Sequence, residues 1–145
     1  MSTEDEVRRA SEQFYAALNN MANGDASAMS EIWSHDTVVT AMHPVGGRHV
    51  GWDEVRDSFQ QVAQIASEGR VRLDDQMIQV TGAMAYEIGS ERGQASFAGQ
   101  QVTLDHRVTN IYRREADRWR IVHHHTDTSS AMLDVLKRIQ TKTKT

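Results

Sequence analysis

Three consecutive histidines, His123 to His125, lie near the C-terminal end of the chain within the stretch 119–127. Because successive side chains of a β-strand point to opposite faces, His123 and His125 are predicted to share a face with Asp127. That face begins with apolar side chains and ends with polar ones, as in a strand that runs from a packed core to a pocket mouth. We therefore predict that His123 and His125 line a small-molecule cavity, with His125 a candidate catalytic residue. His124 is predicted to face solvent or a partner subunit.

Two alternatives remain open for the histidine pair. Hydrogen bonds to buried partners would give both rings a purely structural role. Histidines two positions apart on a strand could also share a metal ion, and His43 or Asp127 could complete such a site. Because no motif supplies a third ligand, we predict neither a metal nor another cofactor.

His43 is a second candidate for chemistry, since it ends a β-rich segment directly before Pro44, the only proline of the chain. Proline lacks a backbone donor and favours an extended conformation in the residue before it, and the glycine pair that follows permits a sharp reversal. Imidazole can move a proton near neutral pH, so His43 is a candidate general base. The alternative is a loop residue that simply ends the strand.

Three further residues are predicted to contribute to the pocket wall. Tyr15 lies at the edge of the apolar stripe of the first predicted helix. Trp52 begins a later helix, where it could wall the pocket or pack on the sheet edge. Asn110 is the polar residue most suited to reach the cavity from a mostly apolar strand face, and its alternative role is a buried amide bonded to neighbouring backbone.

The elements that position these residues follow from hydrophobic periodicity. Residues 3–21 are predicted as an amphipathic helix that Thr3 and Glu6 cap reciprocally. The remaining predicted elements are a short helix from 25 to 34, a strand over 36–42, a helix from 51 or 52 to 66, strands over 71–80, 84–91, 101–114 and 119–127, and over 129–139 either a short helix or an extension that docks on a partner. The segment 93–99 is predicted as a loop or edge. Most methionines are predicted to fill core space: Met21, Met29, Met77, Met84 and Met132.

This order, helices first and a curled antiparallel sheet afterwards, predicts an α+β fold in one domain over residues 1–140. Residues 141–145 are predicted to form a disordered polar tail. The 145 residues carry a net charge of −4 without a basic stripe, which argues against nucleic-acid binding. The absence of a long apolar run and of a signal sequence argues against a membrane protein and favours a cytoplasmic one. The absence of cysteine excludes disulfides and thiolate chemistry.

Two motifs resemble those of a known superfamily. Residues 111–114 followed by 119–125 resemble the turn and final strand of the association (hub) domain of calcium/calmodulin-dependent protein kinase II. Residues 42–47 leading to Gly51 and Trp52 are similar to the strand end, Pro-x-Gly and Gly-Trp pattern of SnoaL-like proteins. Both belong to the nuclear transport factor 2-like superfamily. The resemblance implies a cone-shaped α+β fold, in which a curved antiparallel sheet wraps around N-terminal helices.

The resemblance also implies roles for particular residues. In ketosteroid isomerase, another member, the residue before a Pro-Val-Gly run is an aspartate general base, and His43 occupies that position here. Asn110 and Ile88 stand where the hub domain has pocket arginines.

Two functions follow as hypotheses. The first is a cofactor-free isomerase, cyclase or dehydratase with an apolar ligand pocket. Its general base would be His43, and His123, His125 and Asn110 would donate to developing charge. This hypothesis requires that His43 and His125 open onto the same cavity. The second is a non-catalytic ligand-binding or assembly module that forms a homodimer through the outer face of the sheet. The residues predicted there on the last strand are Arg120, Val122, His124 and Thr126.

Overall fold

The computed structural model describes residues 2–143, with side chains described to residue 140. The elements in chain order are α1 (Thr3–Met21), α2 (Met29–Ile32), β1 (Thr40–His43), β2 (Gly46–Val50), α3 (Trp52–Ile65), β3 (Ala66–Thr81), β4 (Met84–Phe97), β5 (Gln100–Glu115), β6 (Arg118–Thr126) and α4 (Ser130–Thr143). The strands form one sheet in the order β2-β1-β6-β5-β4-β3. Neighbouring strands are antiparallel except β1 and β6, which are parallel. The predicted α+β class is confirmed. Of the predicted tail, residues 144 and 145 lie outside the described residues.

The N-terminal helix begins where its periodicity predicts, but its cap lies one residue earlier. Ser2 accepts a hydrogen bond from the backbone of Asp5, and the Asp5 carboxylate accepts one from the backbone of Ser2. The predicted pair of Thr3 and Glu6 is therefore wrong in register, because Thr3 is already helical. The apolar stripe of α1 is buried against the inner face of the sheet, as its helical spacing predicts.

The sheet curves around α1 because β3 is irregular in two places. Its pairing with β4 shifts between Ser67 and Arg70 and again between Asp74 and Met77. Bulges of this kind bend a strand and increase its twist. Next to the first irregularity, Gly93 lies opposite Val71, and a Cβ on Gly93 would lie 1.8 Å from the carbonyl oxygen of Arg70, at a φ of +152°. Only glycine fits this close approach, and β4 continues through it to Phe97, where the sequence predicts a loop or edge over residues 93–99.

The segment after His43 forms a strand that periodicity did not predict. β1 and β2 pair as a hairpin in which His43 lies opposite Gly46. Gly46 and Gly47 have positive φ, so the predicted sharp reversal is present. Pro44 occupies the turn, where its missing N–H removes no ladder bond. The hairpin therefore ends β1 at His43 and turns the chain towards α3.

A bulge in β6 reverses the alternation of its side chains. His123 lies opposite Ile111, but Ile121 lies opposite Tyr112, so Val122 is an extra residue in the ladder. Side chains after Val122 therefore lie on the opposite face of the sheet from the one that strict alternation predicts. His124 is 2% exposed and Thr126 is 5% exposed, both on the inner side. The predictions that His123 and His125 face inward and that His124 and Thr126 face outward are wrong for this reason.

Two of the methionines predicted to fill the core lie instead on the outer face of the sheet, which points away from α1. Met77 is 48% exposed and Met84 is 43% exposed. Met21, Met29 and Met132 do contribute to the core, together with Trp33 and Trp119. Among residues 2–143, none of the helices combines the length and apolar character that crossing a membrane requires.

Candidate functional site

A small cavity lies between α1, α3, the start of α4 and the inner face of the sheet. Its volume is about 60 Å³, and we call it the inner cavity. Most of its wall is apolar, but four ionisable side chains belong to it: His43, Glu91, His106 and His124. All four are more than nine-tenths buried. The apolar part includes Leu18, Val45, Phe59, Phe97, Leu104 and Met132.

Glu91 and His106 form a buried pair across β4 and β5. They lie directly opposite each other, and His106 Nε2 is 2.7 Å from Glu91 Oε1. Burial opposes ionisation of Glu91, but the hydrogen bonds from His106 and Tyr15 and the nearby imidazoles outweigh it, so the pKa of Glu91 is lowered. A carboxylate only accepts hydrogen bonds, so His106 Nε2 donates. Nδ1 of His106 is buried and has no partner among the described residues.

Asn110 orients the ring of His124 through a hydrogen bond. The amide nitrogen of Asn110 donates to the Tyr15 hydroxyl at 3.1 Å and to Glu87 Oε1 at 3.0 Å. Its oxygen is therefore the acceptor for His124 Nδ1, which is 2.7 Å away. Burial lowers the pKa of His124 from 6.5 to about 4. The ring is consequently neutral at physiological pH, with its proton on Nδ1 and a free lone pair on Nε2.

His43 is oriented in a similar way by α3. The Ser58 hydroxyl donates to the carbonyl of Val55 at 2.6 Å, so it can only accept from His43 Nε2, 2.7 Å away. Nδ1 of the neutral ring therefore carries the lone pair. Burial, together with the neighbouring His124 and His49, lowers the pKa of His43 to about 3. The ring centroids of His43 and His124 are 5.9 Å apart.

A second layer of hydrogen bonds holds Asn110 in place. Glu87 Oε1 also accepts from the Tyr112 hydroxyl at 2.9 Å, and Glu87 Oε2 accepts from Gln76 at 2.6 Å. The Tyr15 hydroxyl, which accepts from Asn110, donates to Glu91 Oε2 at 2.9 Å. Burial and the adjacent carboxylates raise the pKa of Tyr15 and of Tyr112 well above 10. One connected network therefore orients both Glu91 and His124.

The residues singled out from sequence fall into three positions. His43 belongs to the wall of the inner cavity. Tyr15 and Asn110 stand behind that wall and bond to the residues that form it. Trp52 packs elsewhere, since its ring stacks on His35 at a centroid distance of 4.6 Å and lies 6.4 Å from that of Trp33.

The other two predicted residues lie on the outer face. His123 is half-buried and bonds through Nδ1 to the Thr40 hydroxyl at 2.6 Å, and burial followed by the neighbouring His125 lowers its pKa. His125 is exposed in a shallow groove that also includes Arg107 and Asp127. His43 and His125 therefore open onto different cavities, and a catalytic pair made of these two residues is not present.

Two site residues, Glu91 and His106, were missed by sequence reasoning. Both lie on predicted strands, and His106 shares the mostly apolar face of β5 with Asn110, which is predicted to reach the cavity. The available signal was an ionisable residue among apolar neighbours on that face. It could not show that a glutamate of the preceding strand lies directly opposite. Within the part of the chain that the structure describes, no three His, Asp or Glu residues form a cluster that could hold a metal ion.

Comparison with known proteins identifies relatives of the whole fold. A family model described as SnoaL-like domain matches residues 7–132. A candidate dehydratase of the nuclear transport factor 2-like family from Streptomyces avermitilis has a similar structure, with a TM-score of 0.77, 26% identity, and coverage of 88% of this chain and 96% of that one.

Two association domains are also similar in structure. A candidate calcium/calmodulin-dependent protein kinase type II association domain from Thiobacillus denitrificans has a TM-score of 0.69 and 24% identity, over 83% of this chain and 93% of that one. The hub of the same kinase from S. rosetta has a TM-score of 0.72 and 19% identity, over 89% and 98%. At these identities the likeness shows the fold. Comparison with curated proteins gives no match.

Proposed function

We propose that this protein, which belongs to the SnoaL-like domain family, binds a small uncharged molecule in the inner cavity and transfers a proton on it without a cofactor. His106 is the proposed general base, Glu91 orients it, and His43 and His124 contact the ligand. The proposal rests mainly on one observation. A buried imidazole has one nitrogen on a carboxylate and the other without a partner, at the wall of a mostly apolar cavity.

The lining of the cavity favours an uncharged ligand. Among the residues that the structure describes, no lysine or arginine contributes to its wall, while Glu91 places a negative charge there. An anion would be repelled by that charge and would lose its hydration without a partner. A cavity of about 60 Å³ is also smaller than the roughly 150 Å³ that holds benzene in an engineered protein. The inner cavity therefore suits a small polar head group.

The Glu91–His106 pair supports proton transfer rather than binding alone. When His106 Nδ1 accepts a proton from a carbon acid, the ring becomes an imidazolium, and the adjacent carboxylate stabilises its charge. The same proton can then return to another atom of the bound molecule, which is the requirement for isomerisation or dehydration. The similar structure described as a candidate dehydratase is compatible with this chemistry.

His43 and His124 support the proposal in a different way. Both are neutral rings with a free lone pair, because burial lowers their pKa values to about 3 and about 4. Neutral rings at the cavity wall accept hydrogen bonds from a ligand without adding charge. We therefore assign His43 the role of a hydrogen-bond acceptor for the ligand, since a ring whose pKa is about 3 is a weak base.

Deuterium exchange into a small ketone tests the proposed chemistry. Acetone in D₂O exchanges its α-protons when a base forms the enolate and solvent returns a deuteron, and NMR measures the rate. We expect the protein to accelerate this exchange and His106→Phe to remove about 10²-fold or more of the acceleration. His125→Phe, which alters an exposed histidine, is the matched control and should retain it. Equal rates for the unchanged protein and His106→Phe would rule out His106 as the base.

Self-association is a second candidate function, favoured by an apolar patch on the outer face. Met77, Met84, Tyr86 and Ile88 are each between 38% and 48% exposed, and Met77 pairs with Ile88 across β3 and β4. Contiguous exposed apolar side chains commonly mark protein interfaces. Two of the similar structures are association or hub domains. We therefore propose a homodimer formed through this outer apolar patch.

Light scattering after size-exclusion chromatography tests the dimer. We expect the molar mass of two chains for the unchanged protein and of one chain for the double variant Tyr86→Glu, Ile88→Glu. Thr103→Glu places a charge at an exposed strand position outside the patch and should leave the mass unchanged. A single-chain mass for the unchanged protein at micromolar concentrations would contradict the proposal.

A further inference from the structure

A second cavity lies under α4, on the other side of Met132 from the inner cavity. Its volume is about 140 Å³, and we call it the outer chamber. Val45, Val62, Phe97 and Met132 contribute to both cavities. The remaining wall of the outer chamber consists of Gln61, Ile65 and Leu136. The two cavities are therefore separated only by side chains that they share.

The wall that separates them depends on how α4 is attached. The backbone N–H of Ser129 donates to the carbonyl of Pro44 at 2.8 Å, and the Ser129 hydroxyl accepts from the N–H of Met132 at 3.3 Å. Met132 and Leu136 are one helical turn apart, so they face the same side. The residue after His43 thus anchors the helix whose side chains cover the outer chamber. Met132 is an unbranched side chain with several rotamers, which suits a movable divider.

We propose that the two cavities form one binding site for an uncharged amphiphile. The polar group of the ligand donates a hydrogen bond to His106 Nδ1 in the inner cavity. The apolar tail of the ligand passes Met132 into the outer chamber. This inference rests on the proposed ligand-binding function of the inner cavity and adds the class of ligand. Two observations support it independently: the unpartnered buried Nδ1 of His106, a residue of the inner cavity wall, and the wall beyond Met132, which is apolar except for Gln61.

The charges around both cavities distinguish an alcohol from a fatty acid as the ligand. Neither cavity wall includes a lysine or arginine within the described residues. Glu91, held ionised by its hydrogen bonds, lies beside the nitrogen that would meet the head group. A hydroxyl can donate to Nδ1, whereas a carboxylate cannot donate and would meet a negative charge. The site therefore selects linear or narrow alcohols over acids of the same length.

NMR titration of the unchanged protein with linear primary alcohols, from butanol to octanol, tests the inference. We expect the dissociation constant to fall about fourfold for each added methylene until the outer chamber is filled. Chlorohexane, which lacks the donor, and hexanoate, which carries a charge, should each bind about tenfold or more weakly than hexanol. Longer alcohols should shift the methyl signals of Met132 and Leu136, and butanol should shift those of Leu136 much less.

Leu136→Trp fills the outer chamber without touching the inner cavity. We expect this variant to bind butanol as the unchanged protein does but to lose the gain from longer chains. His106→Phe should weaken every alcohol of the series by a similar factor. Failure of all alcohols to bind would reject the inner cavity as a ligand site, and with it the proposed function. Binding without dependence on chain length, or without methyl shifts at Leu136, would overturn the two-chamber site alone.

Discussion

Mild acid should destabilise this protein because two histidines are buried as neutral rings. His43 and His124 have pKa values lowered by burial to about 3 and about 4, whereas in the unfolded chain a histidine titrates near 6.5. Between these values the unfolded state binds protons that the folded state does not bind. Stability is therefore fully present above about pH 6.5 and is lost as the pH falls towards the folded-state values.

The size of the effect follows from the pKa differences. Each histidine contributes up to about 1.4 kcal/mol per pH unit, so the two together should remove about 4–5 kcal/mol between about pH 6.5 and 4.5. That is a large part of the roughly 5–15 kcal/mol that stabilises a typical domain. Glu91, whose pKa is lowered, contributes stability that is lost only at lower pH. Half-buried His123, whose pKa is also lowered, adds to the histidine effect in the same direction.

Urea unfolding followed by tryptophan fluorescence at a series of pH values measures this slope at one fixed protein concentration. His124→Gln removes one of the two buried rings and keeps an amide that can donate to Asn110. We expect its slope to be smaller than that of the unchanged protein by about 1 kcal/mol per pH unit. His125→Gln removes an exposed imidazole and should retain most of the slope, since His125 acts on it only through smaller effects on the pKa values of His123 and His124. The reasoning is refuted if His124→Gln keeps the full slope, or if the unchanged protein loses less than about 1 kcal/mol across this range.

Two further substitutions test the backbone and the polar network. Gly93→Ala would place its Cβ 1.8 Å from the Arg70 carbonyl oxygen, so urea unfolding should show a free energy of unfolding lower by about 3 kcal/mol or more. Gly82→Ala is the control, because Gly82 has a positive φ but open space around it, and its free energy of unfolding should fall by only about 1 kcal/mol. Asn110→Leu leaves a buried histidine, a tyrosine and a carboxylate each without one partner, and a loss of about 3 kcal/mol or more in urea unfolding is expected. A loss under about 1 kcal/mol for either Gly93→Ala or Asn110→Leu would show that the surroundings relax.

Local pattern was enough to predict most of the elements. The spacing of apolar residues in α1 and the strict alternation of β5 both correspond to the faces that the structure buries. His43 was singled out because a proline and two glycines mark a strand end, and that position does lie in the wall of the inner cavity. These features depend on neighbours within a few residues, which a sequence displays directly.

The orientation of the last strand could not be predicted in the same way. One additional residue, Val122, exchanges the faces of every side chain after it, and no local signal in the stretch marks that bulge. The outward position of Met77 and Met84 is a similar case, because their hydrophobicity favours burial and only the curvature of the sheet leaves them exposed. Both errors come from geometry set by the partner strands.

The sequence by itself determined the order of helices and strands apart from β2, the curled α+β architecture and the prediction of a polar cluster near the ends of β1 and β6. Periodicity, turn residues and capping are local properties, and each was present in the chain. Tertiary structure decided that His124 faces inward, that Glu91 meets His106 across two strands, and that one nitrogen there lacks a partner. Strand register and burial create those relations, since they bring together residues that are distant in the chain and exclude the water that would otherwise satisfy them.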